Sequence, residues 1–207
     1  YQKRAVDTYT SDPFRAIDWQ LQGMTATGEK SYGTFEEWTL VSKRLADVPR
    51  FLTVAQEQLL AGARSRNAAD HRMLLRDGIS TSEANAKYFS ETLPKLAEER
   101  IALGEASSQL LIQVRDASAQ AADAYRRFGE FVKQTFFDAA PSGLTPKPEF
   151  SADRYALGEA EYDWAVKNNL RLTTTSAELF NGTMEIVEGT RTEMSELARK
   201  IGERRGL

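Results

Sequence analysis

Apolar residues recur every three or four positions along most of the chain, and this spacing predicts amphipathic helices. The longest line lies between Gly104 and Pro141 and contains Leu110, Val114, Ala117, Ala121, Tyr125, Phe128, Val132 and Phe136. We expect this helix to be the central packing element, with Tyr125 and Phe128 mostly buried. No segment shows a convincing alternation of apolar and polar residues, so no strand is predicted.

A second apolar line precedes this helix, over residues 35–59. Pro49 interrupts it. Because proline lacks an N–H and disfavours an α conformation in the residue before it, the sequence predicts either two helices or one sharp kink near Val48. Another helix is expected from about residue 82 to 101, with a second kink at Pro94.

The last third of the chain also reads as helical. Residues 141–150 contain three prolines and predict a connection rather than a domain boundary, because helices of the same type are expected on both sides. Two helices follow, over residues 153–168 and 176–204. The last one is expected to turn six apolar side chains inward: Phe180, Met184, Val187, Met194, Leu197 and Ile201.

Three capping boxes mark predicted helix starts. They are Thr34-x-x-Glu37, Ser80-x-x-Glu83 and Thr175-x-x-Glu178. Each places a hydroxyl where it can accept from a backbone N–H of the first turn, with a carboxylate three residues later that can accept in return.

These elements predict an all-α fold, an antiparallel array of about six or seven long, partly kinked helices. Residues 1–33 are expected to form an irregular N-terminal segment, although 13–24 could make a short helix. Residues 34–207 are expected to form a single helical domain, the N-terminal part of a larger protein. The chain opens at Tyr1 without an initiator methionine, so we expect the natural N-terminus to lie outside it.

Composition narrows the possible chemistry. The 207 residues include one histidine, His71, and no cysteine, which excludes most zinc sites, thiol chemistry and histidine-based triads. The formal net charge of −3 gives no overall attraction to nucleic acid or to an anionic membrane. No apolar run approaches the roughly 20 residues that span a bilayer, so no membrane span is expected.

Two charged clusters invite a functional interpretation. His71 lies between two predicted helices in a basic segment with Arg64, Arg66, Arg72 and Arg76. This segment is either a small phosphate or carboxylate site or a solvated basic linker, and the lack of interleaved aromatics and of a glycine cradle favours the linker. Glu159, Glu161 and Asp163 could suggest a metal, but a di-iron bundle needs two Glu-x-x-His motifs, which one histidine cannot supply.

Aromatic residues offer the remaining candidates for a binding groove. Trp19, Trp38 and Trp164 could line one, although aromatics at core spacing usually belong to the core. We take Glu159, Tyr162 and Trp164 as the candidate groove-lining residues. No catalytic and no metal-binding residue is assigned.

Four motifs follow one another over residues 157–201: Leu157-Gly158-Glu159-Ala160-Glu161-Tyr162, Leu170-Arg171-Leu172-Thr173, Thr175-x-x-Glu178-Leu179-x-x-Gly182 and Met194-x-x-Leu197-Ala198. In this order and spacing they resemble the middle of a bacterial family known as domain of unknown function 885. Upstream, Arg44-Leu45-x-x-x-Pro49-x-x-Leu52 with Leu59, Leu60 and Gly62 is similar to the N-terminal helices of that family. Together these motifs extend over most of residues 35–204.

The resemblance implies a helical metallopeptidase of the gluzincin type, many of whose relatives are exported or lipid-anchored, which suggests the bacterial envelope, the periplasm or secretion. The family's zinc site is a His-Glu-x-x-His helix with a further glutamate, because residues four apart share one helix face. This chain has no such motif, so none of those roles can be carried over to its residues. Zinc is expected only in a C-terminal part beyond Leu207.

Two hypotheses follow. In the first, the chain is the non-catalytic N-terminal helical portion of a zinc-metallopeptidase-like hydrolase and forms part of its substrate cleft, so that its partners are a peptide-like substrate or the rest of its own chain. In the second, it is a self-contained helical binding protein without enzymatic activity. The first predicts an exposed apolar patch on the last helix (180–201) and near Tyr162 and Trp164, and self-association as a natural consequence.

Overall fold

The computed structural model of the 207-residue chain describes residues 2–27, 31–101, 104–141, 143–151 and 158–205. Within these ranges the protein is almost entirely helical, which confirms the predicted all-α class. The described residues form six helices: α1 (Val6–Gly23), α2 (Phe35–Arg64), α3 (71–100), α4 (Glu105–Phe136), α5 (Glu159–Asn168) and α6 (Ser176–Arg205). Short 3-10 turns at Gln2–Arg4 and Pro148–Phe150 complete the helical structure of the described chain.

Contacts divide the chain into two compact units, residues 1–155 and 156–207, where the sequence predicts one helical domain over 34–207. We call them the first and the second unit. The first includes α1 to α4, and the second includes α5 and α6. The supposedly irregular residues 1–33 contain α1, which is longer than the short helix considered for 13–24 because it starts seven residues before Pro13.

The core of the first unit is built mainly on α2 and α4. Every member of the apolar line predicted on α4 is buried, and Tyr125 and Phe128 are fully enclosed. α2 contributes Trp38, Val41, Leu45, Val48, Leu52, Ala55 and Leu59 at the expected helical spacing. The central role of the long helix is therefore confirmed.

Prolines do not end the helices in which they lie. α2 continues without interruption across Pro49, so the prediction of two separate helices is wrong. α3 also continues across Pro94, which only Leu93 separates from a π-helical segment, Tyr88–Thr92. The wider π turn accommodates a residue that lacks an N–H and whose ring would crowd the preceding turn.

Two of the three predicted capping boxes are present. Thr34 Oγ1 accepts from Glu37 N at 3.2 Å while Glu37 Oε2 accepts from Thr34 N at 2.7 Å. The box at Thr175 has the same two bonds.

The box predicted at Ser80 is wrong, because Ser80 lies inside α3 at the end of a second π-helical segment, Leu74–Ser80. Its hydroxyl donates to Leu75 O instead. The helix begins earlier, where Asp70 Oδ1 accepts from Arg72 N at 2.9 Å.

One carbonyl connects three helices in the first unit. The backbone oxygen of Thr10, three residues before Pro13 in α1, accepts from Asn85 Nδ2 of α3 and from the Tyr125 hydroxyl of α4, both at 2.8 Å. Both donors are buried, so neither can exchange this partner for water. A buried polar junction thus fixes α1 against α3 and α4.

Two short antiparallel strand pairs occur where the sequence predicts none: β1 (Ala26–Thr27) with β2 (Ser31–Tyr32), and β3 (Phe137–Ala140) with β4 (Gly143–Pro146). They are too short to show an alternating pattern. Of the second pair, β4 lies within the predicted proline-rich connection at 141–150, and β3 directly precedes this connection. Lys147 after it donates to the carbonyls of Gln134 and Thr135, which lie in the last turn of α4.

A close backbone contact fixes the N-terminal turn on α2. A Cβ atom at Gly62 would lie 2.2 Å from Lys3 O and 2.7 Å from Asn67 O. Only glycine leaves room for both carbonyls at this position.

Candidate functional site

The second unit has a capped turn between its two helices. Asp163 Oδ1 of α5 accepts from Ser176 N at 2.6 Å, and Glu178 Oε2 accepts from Thr175 N and from the Thr174 hydroxyl. Arg171, between the helices, has a left-handed backbone with φ of 56°, which is uncommon for a residue other than glycine. Side chains therefore satisfy the first N–H groups of α6.

These contacts lower the pKa of both carboxyl groups. Hydrogen bonds from the side chain and then the backbone of Ser176 hold the pKa of Asp163 below its ordinary value. The backbone bond from Thr175, followed by bonds from the hydroxyls of Thr174 and Thr175, lowers the pKa of Glu178. Both side chains are therefore ionised acceptors at neutral pH.

A surface cavity lies beside this turn. It is lined by Asp163, Lys167, Arg171, Leu172, Thr173, Thr174 and Thr175. Two cationic groups and several hydroxyls can bind carboxylate oxygens of a ligand, although Asp163 gives the cavity one negative charge. The sequence analysis missed Lys167 and Arg171. The signal that could have found them is their position just before the capping box at Thr175.

The three predicted groove-lining residues lie on α5, and all three are exposed. Glu159 and Tyr162 are three residues apart and share a helix face. Trp164 follows Tyr162 by two residues, or about 200° of rotation, and lies on nearly the opposite face. Trp164 therefore does not belong to one groove with the other two.

The apolar side chains that were expected to point inward from α6 are exposed. Their exposed fractions are 65% for Phe180, 40% for Met184, 49% for Val187, 66% for Met194, 59% for Leu197 and 45% for Ile201. We call these six residues the apolar stripe. No described residue of α6 is buried, so the stripe is an uncovered apolar face on a 30-residue helix.

The basic segment around His71 has mainly local ion pairs. Arg72 binds the buried carboxylate of Asp70, and Arg76 binds Asp77. His71 begins α3, and its buried Nδ1 has no hydrogen-bond partner among the described residues. Arg64 and Arg66 line a separate cavity with Glu149 and Phe150, so the lining of that cavity combines two basic residues with one acidic residue. These contacts favour the linker over an anion site.

The other tryptophans differ in their surroundings. Trp38 belongs to the core of the first unit, and its Nε1 donates to Tyr32 O at 3.0 Å. Trp19 is 67% exposed and lines a shallow cleft with Asp12, Arg15, Ala16, Gln20 and Arg44. Arg44 donates there to Ala16 O, which connects α2 to α1.

The described residues do not fit a zinc site, because no group of three histidine, cysteine, aspartate or glutamate side chains lies close enough to hold a metal ion. Among the same residues, no helix combines the length and the apolar content needed to cross a bilayer.

Comparison with known sequences identifies the family. The sequence model of one family, described as a bacterial protein of unknown function (DUF885), matches residues 1–207. No curated protein and no solved structure shows significant similarity to the chain. Because the match extends over the whole chain, this protein belongs to the bacterial family of unknown function DUF885.

Proposed function

We propose that this chain is a non-catalytic helical portion of a larger zinc-metallopeptidase-like hydrolase and that its second unit forms part of a substrate cleft. The first unit provides a rigid helical support. The second unit provides the surface that contacts the remainder of the protein and, beside the α5–α6 turn, a cavity for a peptide-like substrate.

The observation that carries this proposal is the apolar stripe. Six large apolar side chains on one helix, each at least 40% exposed, form the kind of surface that soluble proteins cover with another protein surface. The contrast with α4 is informative, since there the same spacing of apolar residues is fully buried. The stripe is therefore a contact surface, and burying it would contribute favourably to association.

The cavity beside the α5–α6 turn supports the substrate role. Lys167 and Arg171 can bind a peptide's terminal or side-chain carboxylate, and the hydroxyls of Thr173 and Thr174 can bind backbone carbonyls or amides. No catalytic step is assigned to these residues. The zinc chemistry that the family resemblance implies would come from residues outside this chain.

Thiol labelling tests the proposed burial of the stripe. The chain has no cysteine, so Val187→Cys supplies a single reactive group on the stripe. In the 207-residue chain this thiol should react quickly with a maleimide. In the full product of the native gene, it should react at least about tenfold more slowly, because the remainder of the protein would cover it.

Ile112→Cys is the matched control. Ile112 lies on α4 of the first unit and is 49% exposed, the same fraction as Val187. It should react equally fast in the short chain and in the full gene product. Equal reactivity of Val187→Cys in both proteins, or a native gene that ends at Leu207, would contradict the proposal. Either result would instead favour the self-contained binding protein.

A further inference from the structure

The apolar stripe has a seven-residue repeat. Phe180, Val187, Met194 and Ile201 follow one another at intervals of seven, and all four are at least 45% exposed. A repeat of seven keeps one line of side chains facing a partner helix along its whole length, because two helices that supercoil have an effective period of 3.5 residues. The repeat therefore indicates that the covering element is a helix.

The residues that flank this line differ between the two halves of α6. Beside Phe180 and Val187, the flanking positions are apolar: Leu179, Met184 and Ile186. Ile186 is 71% exposed, so the apolar surface is wide in this half. A partner must cover this half with a broad apolar face.

In the second half of α6 most of the flanking positions are charged. Four of the five are charged, three basic and one acidic, and the fifth is alanine: Arg191, Glu193, Ala198, Lys200 and Arg205. Flanking charges of this kind select the partner and its orientation in helix pairs, because they face the flanking residues of the opposite helix. The partner should therefore be acidic where it lies against residues 191–205.

A second copy of this helix would be a poor partner. The positions that complete the repeat, four residues before each member of the line, are Ser176, Thr183, Thr190 and Leu197. In an antiparallel pair, these mostly polar residues would face the apolar line of the other copy. The flanking positions in the first half of the copy are uncharged, and its glutamates there, Glu178, Glu185 and Glu188, lie at other positions of the repeat. The copy would therefore not place acidic flanking groups against Arg191, Lys200 and Arg205.

We propose that the apolar stripe binds an amphipathic helix that runs antiparallel to α6, with an acidic N-terminal half and a broadly apolar C-terminal half. The direction follows from the helix dipole, since acidic residues are favoured at the N-terminal end of a helix and this end would then lie against the basic residues 191–205. The inference rests on the proposed function, because it defines the partner that covers the same stripe.

Two synthetic 28-residue peptides test this. Both contain the same leucine repeat and the same composition. The first has glutamate at the flanking positions of its first two heptads and alanine or leucine at those of the last two, and the second has these halves exchanged. Measured by fluorescence anisotropy with the 207-residue chain, the first peptide should bind about tenfold more tightly. Val187→Glu should abolish binding, and Ile112→Glu should leave it unchanged.

Two adjacent residues provide a matched control for the charge. Lys200 flanks the stripe, whereas Arg199 lies on the far side of the helix, where it pairs with Glu203. Lys200→Glu should weaken binding of the first peptide roughly three- to tenfold, and Arg199→Glu, with the same change of charge, should alter it less than about twofold.

Fluorescence energy transfer measures the direction in which the bound peptide runs along α6. A donor dye at Glu203→Cys should transfer more strongly to an acceptor on the N-terminus of the first peptide than a donor at Ala177→Cys does. The inference would be overturned if the two peptides bound equally well, if the second bound more tightly, or if the transfer pattern were reversed. In each of these cases the stripe would still be a contact surface. Binding of neither peptide would also overturn it, and the thiol-labelling experiment decides the proposed function separately. A dimer of the chain that Val187→Glu dissociates would assign the stripe to a second copy and overturn the inference.

Discussion

Phe128 shows how much stability one side chain of the first unit supplies. It is fully buried on α4, with its ring centroid 6.1 Å from that of Phe131. Phe128→Ala should lower the free energy of unfolding by about 3–5 kcal/mol, from lost transfer free energy and from the cavity left behind. Urea denaturation measures this. Ile112→Ala on the same helix, where the side chain is 49% exposed, should cost far less, and an unchanged midpoint for Phe128→Ala would contradict the assigned core.

Tyr125 makes the first unit sensitive to high pH. Burial raises the pKa of its hydroxyl, and hydrogen bonds from Asn85 and the backbone of Phe14 offset this only in part. Because the folded pKa is above the unfolded value of about 10, the stabilisation is complete below that pH and is lost as the pH rises further. The free energy of unfolding should therefore fall above about pH 10.

Tyr125→Phe tests this assignment. At neutral pH it should cost only about 1 kcal/mol, because Asn85 continues to donate to Thr10 O. Above about pH 10 the variant should lose less stability than the wild type. Burial also raises the pKa of Tyr9 and Tyr88, so some alkaline dependence should remain. An identical pH profile for the two proteins would show that folding does not raise the pKa of Tyr125, as expected for an accessible hydroxyl.

At the scale of the element, the start of α6 should respond to acid. The pKa values of Asp163 and Glu178 are both lowered by the bonds that cap this helix. The capping contribution is therefore present above the unfolded pKa of about 4 and is lost as the pH falls through the lower folded values. The protection of the first amides of α6, measured as the intrinsic exchange rate at each pH divided by the observed rate, should therefore fall over this range. In Glu178→Gln these amides should be less protected at neutral pH and their protection should change less with acid, whereas Glu185→Gln should behave as the wild type.

The helices themselves could largely be predicted, because their signals are local. The apolar line of α4 and the boxes at Thr34 and Thr175 depend only on neighbours within one turn. The continuity of α3 could not be predicted, because its two π-helical segments have no sequence pattern. The residues of the box at Ser80 also suggested a helix start where the structure has none. In the candidate site, the sequence alone could have separated Tyr162 from Trp164. Each helical residue turns the side chain by about 100°, so two residues apart on a helix means nearly opposite faces. Periodicity also identified the stripe, but it cannot show whether a face is covered.

At the scale of the whole molecule, the donor set predicts weak metal binding. The chain has one histidine and no cysteine, and no three potential ligands of the described residues converge. Calorimetric titration of the 207-residue chain should therefore show no submicromolar zinc site, and His71→Ala should leave the titration unchanged. The full gene product provides the comparison. A tight site in the short chain, or metal-dependent peptide cleavage that survives its purification, would contradict this.

The junction at the Thr10 carbonyl has a consequence for synthesis on the ribosome. It joins residues 115 positions apart, since Thr10 lies in the first helix and Tyr125 in the fourth. The chain emerges N-terminus first, so α1 leaves the ribosome long before the helix that completes its contacts. Until then the buried face of α1 lacks its contacts with α4 and is a segment that a chaperone can bind. The first unit can close only after α4 has emerged, and arrested nascent chains should resist protease only beyond that length.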